Sequence, residues 1–174
     1  MFLSNEAIRR HIESGKINVS GDLKIESMGI GINLGKELLI PLANQTVTLS
    51  LPSQPQYTSH NLLEAPYTLK PNEFVLGSTD QSIHTSKDIA TMIDGRSTLA
   101  RLGLTIHVSA MVLDGVPFSN ESSVLEIKNL GNFNIVLNYK DRVGTYIFAQ
   151  LTDPITGEKD TAYANQNGVT PPII

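Results

Sequence analysis

Cysteine is absent from the 174 residues. That excludes disulfides and thiolate metal sites, and it fits a cytoplasmic protein. No apolar run is long enough to span a bilayer. The first residues, MFLSNEAIRRHIESGK, lack the apolar core of a secretory signal, so neither a membrane nor export is expected. Basic residues are few: 13 Lys and Arg against 17 Asp and Glu give a net charge of −4, with no basic block. A nucleic-acid backbone is therefore not an expected partner. A single nucleotide stays open, because a few arginines and backbone N–H groups can hold one, often with Mg²⁺. The four histidines (11, 60, 84 and 107) are scattered without paired spacing, which argues against a transition-metal site.

What is present is enough for one domain, or one domain with arms. Apolar residues make up 40% of the chain, so most of it should fold. Residues 4–14 predict a helix. Ser4 or Asn5 can cap it, Leu3, Ile8 and Ile12 form its apolar stripe, and Gly15 can end it. Strand patterns follow at INVS (17–20), MGIGINLG (28–35), ELLIPL (37–42), QTVTLSL (45–51), EFVLGST (73–79), LTIHVSAMVLD (104–114), SSVLEIKN (122–129), FNIVLNY (133–139) and VGTYIFAQL (143–151). One further short helix is expected at about 96–102. Many short strands with frequent turn signals predict a barrel or a jelly-roll-like pair of sheets. Residues 52–70, with three prolines, predict a long surface excursion. The polar tail after Asp153 is either a disordered end or an arm that closes on something.

Two segments hold the residue types that chemistry needs. In GRSTLARLGL (95–104), Ser97 can cap a helix, and Arg101 lies one turn on along the same face. Those groups, with Arg96 and Thr98, either solvate an ordinary helix or hold an anion at its start. In SSVLEIKN, alternation puts Leu125 and Ile127 on one face and Val124, Glu126 and Lys128 on the other. If the first pair fills the core, Glu126 faces a cleft or water. His107, inside an apolar strand pattern, predicts a buried, hydrogen-bonded structural histidine. Asp114, before Gly115, is the residue type of a turn.

The order of the pieces carries more than any one of them. MFLSNEAIRRHIESGKI, a strand ending INLG, EFVLGSTDQSI, GRSTLARLGLTIHVSA, VLEIKN and DTAYANQNG together resemble the dCTP deaminase branch of the trimeric dUTPase-like superfamily. The resemblance runs from the first helix to the tail. It implies a single mainly β domain over 1–174, a distorted β-barrel of jelly-roll type, with 153–174 as a C-terminal arm. It also implies a homotrimer with active sites between subunits and a deoxyribonucleoside triphosphate as substrate, Mg²⁺ entering with the triphosphate. The reaction implied is deamination of dCTP at C4. Zinc deaminases use an H-x-E…P-C-x-x-C arrangement, which a chain without cysteine cannot build. A carboxylate must then move both protons, and the family's catalytic glutamate falls at Glu126. By the same resemblance Arg96, Ser97 and Thr98 contact phosphates, with Ser97 also near the base, and Arg101 helps hold the site and its water. Ala110 offers backbone groups to the base edge. Asp114 lies by the sugar and serves diphosphate release, while Tyr163 and Gln166 reach the phosphates from the arm.

The chain departs from that pattern at several positions. Val112 stands where an Arg is usual, and Ala162 where a Lys is usual. The segment between Asp114 and VLE is long, with Phe118 as its one aromatic. The usual Val-Asp-x-Arg-Leu-Gly is here Ile30-Gly31-Ile32-Asn33-Leu34-Gly35, without either charge. Three readings therefore stand side by side. The first is a dCTP deaminase, alone or combined with cleavage of dUTP to dUMP and diphosphate. The second is a dUTPase-like or modified-pyrimidine nucleotide diphosphohydrolase. The third is a nucleotide-binding trimer without turnover.

Overall fold

Ser4 opens the chain's first element as the sequence predicts. The computed structural model describes residues 1–49, 54–113, 119–120, 122–157, 163 and 168–173. Helix α1 (Asn5–Glu13) is capped by Ser4, whose Oγ accepts the Ala7 N–H at 3.4 Å. Ile8 and Leu3 bury its inner face, and Gly15, at φ +73°, turns the chain away. Fourteen strands follow among the described residues: β1 (Ile17–Ser20), β2 (Ile25–Glu26), β3 (Gly29–Pro41), β4 (Tyr57–Asn61), β5 (Tyr67–Leu69), β6 (Phe74–Thr79), β7 (Ser82–Thr85), β8 (Ile89–Gly95), β9 (Leu104–Thr105), β10 (Val112–Leu113), β11 (Ser119–Asn120), β12 (Val124–Asn129), β13 (Ile135–Leu137) and β14 (Arg142–Gln150). A second helix, α2 (Ser97–Arg101), sits between β8 and β9.

The largest sheet runs β10-β8-β14-β3-β6-β12-β9, with β2 and β4 also paired to β3. Its two edges, β9 and β10, are joined by the six residues 106–111. Seven strands laid flat would hold those edges about 29 Å apart. The linking backbone from Thr105 to Val112 reaches at most about 25 Å when fully extended. The sheet therefore curls until its edges approach, and residues 106–111 close it. Ile93 N–H donates to Met111 O at 2.8 Å on the β8 side, and Glu126 N–H to Ile106 O at 2.9 Å on the β12 side.

The core fills the inside of that curl. Leu34, Leu38, Val75, Leu125, Ile127, Tyr146 and Phe148 are almost wholly shielded from water. Asn129 is as deeply buried but fully engaged. Its Nδ2 donates to Leu69 O and Phe133 O at 3.1 and 2.9 Å, and its Oδ1 accepts Gly131 N–H at 2.9 Å. It fixes the end of β12 against the small β13–β5 pair, since a buried amide left unpaired would cost more than it gives.

Several sequence expectations are corrected. MGIGINLG and ELLIPL are one 13-residue strand, β3, which changes partner along its length. Its first part pairs β14 and its second part pairs β6 and β4, with a register irregularity between Leu34 and Leu38. QTVTLSL forms no strand over 45–49, and its last two residues lie outside the described ones. The excursion at 52–70 contains β4 and β5. LTIHVSAMVLD splits into β9 and β10, because its two ends pair with opposite edges of the sheet. SIHT and IATMIDG, not predicted, form β7 and β8.

Candidate active site

The segment that closes the sheet also carries the candidate chemistry. On β12, Leu125 and Ile127 are buried while Glu126 is half-buried on the other face, as alternation requires. The Val108 N–H donates to Glu126 Oε2 at 2.8 Å. The other carboxylate oxygen takes no hydrogen bond from any described residue. One oxygen is thus anchored and one is left to accept a proton. Around it residues 108–111 are exposed, Ala110 included.

His107, between the two residues that bond Glu126, differs from the expected buried histidine. Its side chain is half-buried, and Nε2 lies 3.6 Å from Asp94 Oδ1 at the end of β8. Tyr, Phe and Ile side chains fill the core, so the imidazole is left at the rim, where a carboxylate meets it.

From Asp94 the chain passes through Gly95 and Arg96 into α2. The sequence predicts Ser97 as the cap. The structure instead makes Arg96 the N-cap, extended at φ −99° and ψ 134°, with no side-chain cap, and Ser97 is the first helical residue. The Arg96 side chain turns away from the helix start, its Nη1 donating to Arg142 O at 3.1 Å. Ser97, Thr98 and Arg101 are exposed, and none makes a side-chain hydrogen bond or ion pair with another described residue. No such bond joins them to Glu126 within one chain. Behind α2 lies a cavity of about 290 Å³, lined by Arg96, Leu99, Leu104, Val136, Asp141 and Arg142 among others.

The tail gives a partial answer. Asp114 and Gln166 lie outside the described residues, as do Phe118 and Ala162. Tyr163 OH accepts the Ile173 N–H at 3.0 Å, a contact within the tail. Tyr57 on β4 has its phenol pKa raised, first by burial and then by the nearby Tyr163. Gly168 N–H donates to Ser122 Oγ at 2.9 Å. Val112, in place of the usual Arg, is exposed on β10. Among the described residues, no group of three or more His, Asp or Glu is arranged to hold a metal ion, and no helix is long and apolar enough to cross a membrane.

Glu26 and Arg142 were not singled out by sequence. Arg142 Nη2 lies 3.0 Å from Glu26 Oε1. The contact is close but off the donor axis, and Nη2 makes no hydrogen bond of acceptable angle although it is shut off from water. Charge, not a directed bond, holds it. The signal in the sequence was Gly31, a glycine inside a strand, which marks a close approach. A β-carbon there would overlap the Arg142 guanidinium.

A family model described as dCTP deaminase-like matches residues 2–151. A relative from Kocuria rhizophila, named dCTP deaminase, dUMP-forming, is 30% identical over 98% of this chain and 93% of its own. One of the same name from Halobacterium salinarum is 26% identical over 97% and 92%. The dCTP deaminase of Buchnera aphidicola is 40% identical over 62% of this chain and 57% of its own. Among solved structures, the 2'-deoxycytidine 5'-triphosphate deaminase of Agrobacterium tumefaciens superposes with a TM-score of 0.63 at 16% identity. It covers 84% of this chain, which spans about half (47%) of that one. The EIAV dUTPase superposes at 0.50 and 15% identity, over 84% of this chain and 98% of its own. At such identities these structures establish the fold, which is dUTPase-like.

Proposed function

Because the chain belongs to the dCTP deaminase-like family, we propose that it hydrolyses dCTP to dUTP and ammonia, with Glu126 moving the protons. Glu126 takes a proton from a water molecule and passes it to N3 as the water oxygen bonds to C4; it then takes the remaining hydroxyl proton and gives it to the exocyclic amine, so that the C4–N bond breaks, ammonia leaves and the C4 carbonyl of dUTP forms. The observation that carries this is the Glu126 carboxylate: half-buried, fixed at Oε2 by Val108 N–H at 2.8 Å, and without a hydrogen bond from any described residue at its second oxygen. A general acid–base needs that kind of fixed but unspent group.

Ser97 and Arg101 complete the site in this reading. They are exposed and uncommitted on α2, so they serve a Glu126 across a subunit boundary in a homotrimer. Ser97 stands beside the base and Arg101 holds the water, while Arg96, Thr98, Tyr163 and Gln166 take the phosphates. Ala110 meets the base edge with its backbone. Mg²⁺ enters with the triphosphate, whose charge it offsets.

A second step at the same site, release of diphosphate from dUTP to leave dUMP, is favoured by the names of the Kocuria and Halobacterium relatives. Asp114 would activate the water for it.

The test is to incubate the protein with Mg²⁺ and each deoxynucleoside triphosphate, and to measure ammonia and diphosphate separately. Ammonia is expected from dCTP, with a loss of roughly 10²–10⁴-fold in kcat for Glu126→Gln. Asp114→Asn should reduce diphosphate release far more than ammonia release. Diphosphate without ammonia points to the dUTPase-like alternative, and binding without either product to a non-catalytic trimer. Wild-type ammonia release by Glu126→Gln overturns the assignment of the proton carrier.

A further inference from the structure

Arg142 does two things at once. Its guanidinium crosses β3 in the space left by the missing side chain of Gly31 and meets Glu26 on β2, Nη2 to Oε1 at 3.0 Å. Glu26 is held in turn by Thr145, whose hydroxyl donates to Oε2 at 3.0 Å. The backbone carbonyl of the same Arg142 accepts Arg96 Nη1 at 3.1 Å. Between Arg142 and Gly144 the β14–β3 register shifts, which leaves Val143 without a partner on β3, and Arg142 Nε donates to Gly144 O at 3.4 Å across that point. A bulge of this kind re-aims what it carries, and here it carries the acceptor for Arg96.

We propose that Glu26 and Arg142 are positioning residues for Arg96. The ion pair pins the side chain of Arg142, the pinned residue fixes the bulge, and the bulge presents the carbonyl that orients the Arg96 guanidinium. A guanidinium has five N–H donors. One is engaged by that carbonyl, and the others remain to meet an anion where the chain enters α2. The arrangement also puts charge back at one of the two positions where this strand lacks it, Gly31. A carboxylate on Glu26 and a guanidinium on Arg142 meet over Gly31, in the place where the family's strand carries an Asp. This inference rests on the reading of Arg96 as a phosphate contact.

A purely structural ion pair would stabilise the fold without regard to the number of phosphates on a ligand, so the test compares two ligands. Binding of dCTP and of dCMP, each with Mg²⁺, is measured by titration calorimetry on the full chain carrying Glu126→Gln, which serves as the wild-type reference for binding because it does not consume the ligand, while ammonia release is measured on the chain with Glu126 in place. The variants are Glu26→Gln, Arg142→Met, Arg96→Ala and the double variant Arg96→Ala/Glu26→Gln, each with its melting temperature. Glu26→Gln keeps shape and removes only charge, so it serves if Arg142→Met does not fold. The expected result is about tenfold weaker dCTP binding in Glu26→Gln, a change below about twofold for dCMP, and no further loss from Glu26→Gln once Arg96 is Ala. Equal losses for the two ligands, or additive losses in the double variant, overturn the proposal. If the wild type binds dCTP and the cycle is non-additive but no ammonia is released, the deaminase reading fails and the positioning role stands. If ammonia is released and the losses are additive, the positioning role alone fails. A wild type that binds neither nucleotide overturns both.

Discussion

Asp88 ties the turn after α1 to the end of β14. Its Oδ2 accepts Lys16 Nζ at 2.6 Å, next to α1, and Gln150 Nε2 at 3.2 Å, at the end of β14. Its Oδ1 accepts the Ser86 hydroxyl at 2.5 Å, and its carbonyl accepts Leu151 N–H at 2.9 Å. The hydrogen bond from Lys16 above all, then that from Ser86, holds the carboxyl well below the usual carboxylate range, against the opposing effect of burial. A depressed folded-state pKa gives stability that is present above the unfolded value. It is lost as pH falls through the usual Asp range towards the folded value. Asp88→Asn should therefore cost about 1–2 kcal/mol near neutral pH. Its difference from the wild type should shrink below about pH 4, as followed by thermal melts across pH 3–7. An acid profile parallel to the wild type's would show that Asp88 is not the group responsible. Little in the local sequence marks Asp88, because Lys16 and Gln150 lie 72 and 62 positions away.

At the scale of elements, β6, β14 and the residue leading into β12 are cross-linked by a buried hydroxyl chain. Ser123 Oγ and Tyr146 OH are 2.9 Å apart, and Tyr146 OH donates to Thr79 Oγ1 at 3.1 Å. The Thr79 hydroxyl donates in turn to Gln81 O at 2.8 Å and accepts Ser123 N–H at 2.9 Å. Burial pushes the Tyr146 phenol up to about 12, partly offset by the hydrogen bonds of Ser123 and Thr79. The neutral phenol thus stabilises the fold fully below pH 10, and this contribution is lost as pH rises from 10 through about 12. Tyr146→Phe should lower stability by about 1–2 kcal/mol at pH 7, or roughly 2–8 °C in Tm. It should also flatten the alkaline fall in denaturant-measured stability. An unchanged alkaline slope in the variant would assign that fall to other groups. Residue pattern predicted β12 and β14 as strands, and alternation placed Leu125 and Ile127 inward on β12, where they are buried. It misjudged LTIHVSAMVLD, where the same alternation hides a change of partner from one sheet edge to the other.

For the whole molecule, the curl of the sheet brings Glu126 to the segment that closes it. It leaves α2 on the outside, with Leu102, Leu130 and Phe133 exposed about the Gly103–Gly131 crossing. Gly103, at φ +80°, packs against Gly131 with no room for a β-carbon, so the turn into β9 is tight. Exposed apolar residues beside uncommitted Ser97 and Arg101 suit an interface with further copies. Sedimentation velocity is expected to give a particle three times the 18.9 kDa chain. A monomer at tens of micromolar would remove the shared site from the proposed mechanism.

The sequence by itself determined the mainly β class, α1 with its Ser4 cap, the short helix near 97–101, the outward face of Glu126 and membership of the family. All of these depend on local periodicity, on capping chemistry or on the order of short motifs, which neighbouring residues fix among themselves. Only the tertiary structure decided that 106–111 closes the sheet, that Arg96 rather than Ser97 caps α2, and that Arg142 reaches Glu26 across Gly31. Those outcomes depend on which distant strands pair and on where a side chain finds empty space, and no stretch of sequence contains both partners.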